Sequence, residues 1–113
     1  DTATTPEFLG LTKPGSLWNQ LGGPSRAGEG VIVGILDSGL WPENPSFADD
    51  GSFRPLARWK GECVTGEQWD AGDCSNKVIG ARYFLAGYGN QRPFPYEFLS
   101  ARDADGHGSH TAS

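Results

Sequence analysis

The sequence predicts an α/β sandwich of which this chain carries only part. Three observations carry that reading. Val31-Ile-Val-Gly-Ile-Leu36 is a continuous, mostly β-branched apolar run bounded by glycines, the pattern of a strand buried on both faces of a parallel sheet. Lys77-Val-Ile-Gly-Ala-Arg-Tyr-Phe84 reads as a second strand. Short helical patterns precede the first strand and follow the second, so the elements alternate in type. Two strands and two short helices leave Val31–Leu36 without neighbours or cover, which makes the chain look like the N-terminal piece of a larger domain.

In order along the chain, Pro6 and Pro14 limit any helix in the first dozen residues, which are expected to be extended. Ser16 followed by Leu17, Trp18 and Leu21, then Gly22-Gly23, reads as a short capped helix with its apolar residues turned inward. Residues 23–30, Gly-Pro-Ser-Arg-Ala-Gly-Glu-Gly, form a loop. The strand 31–36 ends in Asp37-Ser38-Gly39, and sites in open α/β sheets form beyond the carboxyl ends of strands. Asp-Ser-Gly is equally a good turn sequence, with no chemistry required. Residues 41–76 show little period: Asp49-Asp50-Gly51 reads as a solvated turn, and Trp41, Trp59 and Trp69 as packing anchors. After the second strand a loop runs through Gly87, Gly89, Pro93 and Pro95. Asp105-Gly106 then marks a helix N-terminus ahead of His107.

Composition narrows the class. Of 113 residues, 36% are hydrophobic and 20% charged, with four tryptophans, which is globular rather than disordered. Seventeen glycines and eight prolines make the chain rich in loops, without repeat or low-complexity period. A net charge of −5 argues against nucleic acid or an anionic membrane as partner. No run approaches the ~20 apolar residues of a membrane helix. The opening residues DTATTPEFLGL lack a signal-peptide layout. Cys63 and Cys74 are the two cysteines. Taken alone they are either one bridge closing a surface loop in an oxidising compartment or two free thiols.

The segment Asp103-Ala-Asp-Gly-His-Gly-Ser-His-Thr-Ala-Ser113 gathers two histidines and two carboxylates. His107 and His110, at i and i+3, could share one helix face and bind metal with Asp103 or Asp105, although no fourth ligand can be named. Alternatively one histidine is catalytic and the other structural. The pairing with the strand-end aspartate tips the balance. Val-Gly-Ile-Leu-Asp37-Ser-Gly and Asp105-Gly-His107-Gly-Ser-His110-Thr-Ala-Ser, in that order, together resemble the two upstream signatures of subtilisin-like serine proteases. TTPEFLGL, GVIVGILDSGLWPENPSF and the WKGEC and CSNKVIGARYF segments resemble the plant, cucumisin-like branch. Resemblance thus covers essentially the whole chain. Ser109 stands where the family most often has threonine, and the hydroxyl is kept.

The resemblance implies a subtilisin-like three-layer sandwich with a parallel sheet, incomplete here, and residues 1–113 as the N-terminal part of the peptidase domain. It implies a serine endopeptidase in which Asp37 orients and His107 is the general acid/base, with His110 in a supporting place. A serine hydroxyl is a poor nucleophile until an imidazole accepts its proton, and a carboxylate must hold that imidazole in the right tautomer. Glycines on both sides of His107 admit close approach of backbone and substrate. The α-helix N-terminus opposes protonation of His107 while Asp37 favours it. The resemblance further implies a Cys63–Cys74 bridge in a secreted or vacuolar enzyme, and Asp1 near a mature N-terminus exposed by removal of a signal peptide and an inhibitory propeptide. No cofactor or metal is implied: the family's best-known calcium site uses an aspartate where this chain has Ser46. The family's nucleophile motif and oxyanion-hole asparagine are absent, and Ser38, Ser109 and Ser113 match other motifs. The chain alone is therefore expected to be inactive, a cut piece whose partners are the remainder of the protease chain and its peptide or protein substrates. Two competing readings are a non-catalytic protein-binding module using the apolar edge of Val31–Leu36, and a metal-dependent hydrolase using the Asp103–His110 cluster.

Overall fold

Proline shapes the first element. In the structure, a computed structural model describing residues 4–113, Pro6 lies in the first turn of α1, Thr5–Phe8, with Glu7 beside it. A fixed φ suits a helix start, and an acidic side chain there meets the positive end of the helix dipole. Residues 1–3 of the opening expected to be extended lie outside the described residues; from Thr5 it is a single helical turn, ended by Gly10 at φ +72°. The second turn, α2, spans Leu17–Gln20. Ser16 precedes it but does not cap it: its hydroxyl donates to the Leu11 carbonyl. Asn19 accepts from the Gly15 N–H instead, at 2.9 Å. Leu17 and Leu21 are exposed, so the inward packing expected of this helix is not formed. These elements belong to a first unit that ends at Val33; a second begins at Gly34.

The parallel sheet of the expected α/β sandwich is not formed. Among the described residues there are α-helical turns, 3₁₀ turns and isolated β-bridges, and no strand. Residues 31–36 have no ladder partner. Val31 and Val33 in the first unit are 66% and 73% exposed, and Ile35 and Leu36 in the second are 47% and 97% exposed. Lys77–Phe84 keeps one bridge, Ala81 to Cys63, instead of a strand. The physical reason is partner supply. A strand exists through hydrogen bonds to its neighbours and cover on its faces, and helices of four to six residues provide neither. The count of elements in the sequence already shows that shortage; what local pattern does not show is that the sheet is lost with it.

The second unit is organised around loops. Trp69, 1% exposed, and Phe47, 6% exposed, are its buried hydrophobic residues. Of the tryptophans expected to anchor packing, only Trp69 is buried; Trp59 is exposed but donates from Nε1 to the Ile79 carbonyl at 2.6 Å, and Trp41 is half exposed. Cys63 and Cys74 form a disulfide, which decides between the bridge and the free thiols. Within the loop it closes, Gly66 and Trp69 exchange backbone hydrogen bonds at 3.0 and 3.2 Å. The Trp69 indole N–H lies 3.4 Å from the Cys63 sulfur. Asp49-Asp50-Gly51 is the expected turn: the Asp49 and Asp50 side chains accept from the Gly51 and Ser52 N–H groups, both at 2.9 Å. No described helix is long and apolar enough to cross a membrane.

Candidate active site

The segment after Asp37 and the segment before His107 meet through one parallel bridge, Leu40 to Arg102. The Leu40 N–H donates to the Ala101 carbonyl at 3.0 Å, and the Asp103 N–H to the Leu40 carbonyl at 3.1 Å. Arg102 secures the join by reaching Glu43 at 2.9 Å and the Gln68 carbonyl at 3.2 Å. Glycine makes the contact this close. A Cβ on Gly39, at φ +128°, would stand 2.8 Å from the Ala101 carbonyl oxygen, and one on Gly108 only 2.2 Å from the Gly39 carbonyl oxygen. Both separations are below what a real side chain tolerates.

Beyond this join the chain turns into α3, His107–Ala112. Gly106, at φ +95°, is its N-cap and offers no side chain. The Asp105 carboxylate accepts the His107 N–H at 3.3 Å. Asp103 does more: one oxygen accepts from the Asp105 and Gly106 N–H groups at 2.9 and 2.8 Å, and the other from the Ser109 N–H at 2.9 Å. An aspartate reaching N–H groups two and three residues on is the ordinary Asx-turn chemistry. The sequence points to Asp105 for the helix start and to Asp103 only as a metal ligand; the structure gives the larger part of the turn to Asp103.

That turn delivers His107 Nδ1 to 2.7 Å from Asp37 Oδ1, across 70 residues of sequence. An ionised carboxylate only accepts, so Nδ1 carries the proton and Nε2 is the free acceptor. The Asp37 side chain is 20% exposed and that of His107 65%; the carboxylate is sheltered while the imidazole faces outward. Asp37 is held from two further directions, by the Ser38 N–H at 2.7 Å on Oδ1 and by the Thr111 hydroxyl at 3.2 Å on Oδ2. The hydrogen bond to His107 and then that from Ser38 hold the Asp37 carboxyl below its ordinary value. The same contact, by hydrogen bond and then by charge, raises His107 above its ordinary 6.5, with Asp105 and Asp103 adding to it. Desolvation of the imidazole works the other way and is outweighed.

Three serines of the two motifs are engaged. Ser38 Oγ donates to Asp103 at 3.0 Å and accepts from the Gly108 N–H at 2.8 Å. Ser109 Oγ donates to Asp103 at 2.5 Å and accepts from the Trp41 N–H at 2.9 Å. Ser113 donates to the His110 carbonyl at 3.1 Å. Among the described residues no three His, Cys, Asp or Glu side chains are arranged to hold a metal ion, and Asp103 is already filled by protein donors, so the metal-hydrolase reading finds no ligand set. The parts that Ser38, Asp103 and Thr111 play are not evident from sequence. Only the Asp103 turn has a local signal, its spacing ahead of Asp105-Gly106.

No protein-family model matches the chain. Among curated proteins, subtilisin-like protease SBT1.4 of Arabidopsis thaliana is 46% identical over 117 residues, covering 99% of this chain and 14% of the relative. Subtilisin-like protease SBT3 of Solanum lycopersicum is 46% identical over 113 residues, 99% of this chain and 14% of its own length. Subtilisin-like protease SBT5.5 of Arabidopsis thaliana is 52% identical over 94 residues, 79% of this chain and 12% of the relative. The chain thus spans about a seventh of the length of such relatives. At these identities over nearly its whole length, this chain belongs to the plant subtilisin-like protease family.

Proposed function

We propose that residues 1–113 are the N-terminal part of a peptidase domain and supply two of the three catalytic groups of a serine endopeptidase. Asp37 orients His107 and offsets the charge it gains; His107 Nε2 takes the proton of a serine hydroxyl and returns it to the leaving amine. The nucleophilic serine comes from the remainder of the protease chain, and the substrates are proteins or peptides. The observation that carries this reading is the 2.7 Å contact between His107 Nδ1 and Asp37 Oδ1, with the imidazole's other nitrogen left outward. The Cys63–Cys74 disulfide supports a secreted or vacuolar enzyme, and an inhibitory propeptide would precede Asp1. The competing reading, a non-catalytic binding module, would draw on the exposed Ile35 and Leu36.

A fluorophosphonate separates the two, because it reacts with a catalytically activated serine and spares ordinary hydroxyls. The full-length protein should be labelled at a serine outside these 113 residues. His107→Ala should abolish labelling and turnover, while His110→Ala should cost much less. Labelling that survives His107→Ala would overturn the assignment.

A further inference from the structure

The carboxylate of Asp103 touches neither member of the Asp37–His107 pair, yet it ties together their immediate neighbours in the chain. Ser38 is the residue after Asp37, and Gly108 the residue after His107. The Ser38 hydroxyl accepts the Gly108 N–H at 2.8 Å and donates its own proton to Asp103 at 3.0 Å. One hydroxyl therefore spans the gap between the two backbones, and Asp103 orients it. On the same carboxylate converge the N–H groups of Asp105 and Gly106 and both the N–H and the hydroxyl of Ser109. That makes five donors on a group with about four lone-pair directions. Ser109 carries the network on to Trp41, whose N–H it accepts at 2.9 Å.

Resting on the protease reading above, we propose that Asp103 is a positioning residue, which through Ser38 and the first turn of α3 sets the separation of His107 from Asp37. Burial works against its charge but is outweighed by the Ser109 hydroxyl and the Gly106, Ser109 and Asp105 N–H groups, which hold it ionised well below the usual carboxylate range. Ionisation matters to the geometry. A carboxylate accepts on both oxygens, whereas asparagine accepts on one and turns an N–H₂ toward donors on the other. Asp103→Asn therefore sets an amide either against Ser38, Asp105 and Gly106 or against Ser109.

The test is steady-state kinetics on the full-length enzyme, normalised to titrated active sites and accompanied by thermal melting. Asp103→Asn should lower kcat about 10- to 100-fold with KM within about twofold, since small misplacements of reacting groups cost rates of that order. Ser38→Ala should lower kcat in the same way but less. The double variant should lose less than the product of the two single losses, because both act through one network. Folded Asp103→Asn enzyme with wild-type kcat overturns the proposal, as does strict multiplicativity of the two losses. Should Asp103→Asn not fold, Ser38→Ala decides, and an unchanged kcat there is equally fatal. Turnover that survives His107→Ala would instead sink the protease reading itself, so the two failures are distinguishable.

Discussion

On the protease reading proposed above, His107 and Asp37 pull protein stability and catalysis in opposite directions along the pH axis. Because His107 is raised above 6.5, its contact stabilises the fold fully below about 6.5 and less as pH climbs through the raised value. Because Asp37 is lowered from 3.8, its share is present above 3.8 and is lost as pH falls through the depressed value. The pair thus holds the two segments together best in mildly acidic solution. General-base catalysis needs the neutral imidazole, so activity should rise with pH through the raised His107 value. Asp37→Asn should move that acid limb of kcat/KM to lower pH, with Asp105 and Asp103 leaving a residual upward pull. It should also lower kcat by roughly 10⁴, since an amide can donate to Nδ1 and leave the proton on Nε2. An acid limb that stays in place in the variant would mean that another group sets it.

At the scale of elements, the site is a joint between two loops, and two features of sequence make the joint possible. Gly108 is one. A methyl there would overlap the Gly39 backbone at 2.2 Å, and backbone cannot move aside as a flexible side chain can. Gly108→Ala should separate α3 from the Asp37 segment and reduce activity more than Gly72→Ala, a glycine with open space around its Cβ position. Equal effects would refute the packing account. The second feature is the disulfide loop, whose turn carbonyl at Gln68 receives Arg102. Reducing Cys63–Cys74 frees a loop of eleven-residue separation, which such crosslinks stabilise by roughly 2–4 kcal/mol. Reduction should lower the unfolding midpoint and brighten the buried Trp69, which sits against the Cys63 sulfur; an unchanged midpoint would remove the bridge from any supporting role. Both elements are partly legible in the sequence. The glycines beside His107 signal a close approach, but their partner, Gly39, stays hidden, because nothing in the order of residues says which backbone will arrive.

For the whole molecule, the decisive quantity is how much chain is present. No serine among the 113 residues sits in a motif that matches a nucleophile, and Ser38, Ser109 and Ser113 are each committed to other bonds. The isolated chain should therefore take up no fluorophosphonate and hydrolyse no peptide. Stoichiometric label on it would mean that one of these serines is reactive after all. The same shortage of chain defeats the fold expectation. Val31–Leu36 has every local mark of a buried strand, yet burial depends on partners, and the run lies exposed instead.

Sequence alone determined the family, through the order and context of the Asp37 and His107 motifs, and from it the expectation, met in the structure, that Cys63 pairs with Cys74. These were legible because residue type and spacing along the chain are what motifs consist of. Tertiary structure alone decided that Asp37 and His107 stand 2.7 Å apart, and that Ser38, Asp103 and Thr111 surround them. It also decided that no sheet forms among the described residues. Contacts across 65 to 74 residues leave no periodic trace in a sequence, because hydrogen bonds are made by whichever groups the folded backbone brings within reach.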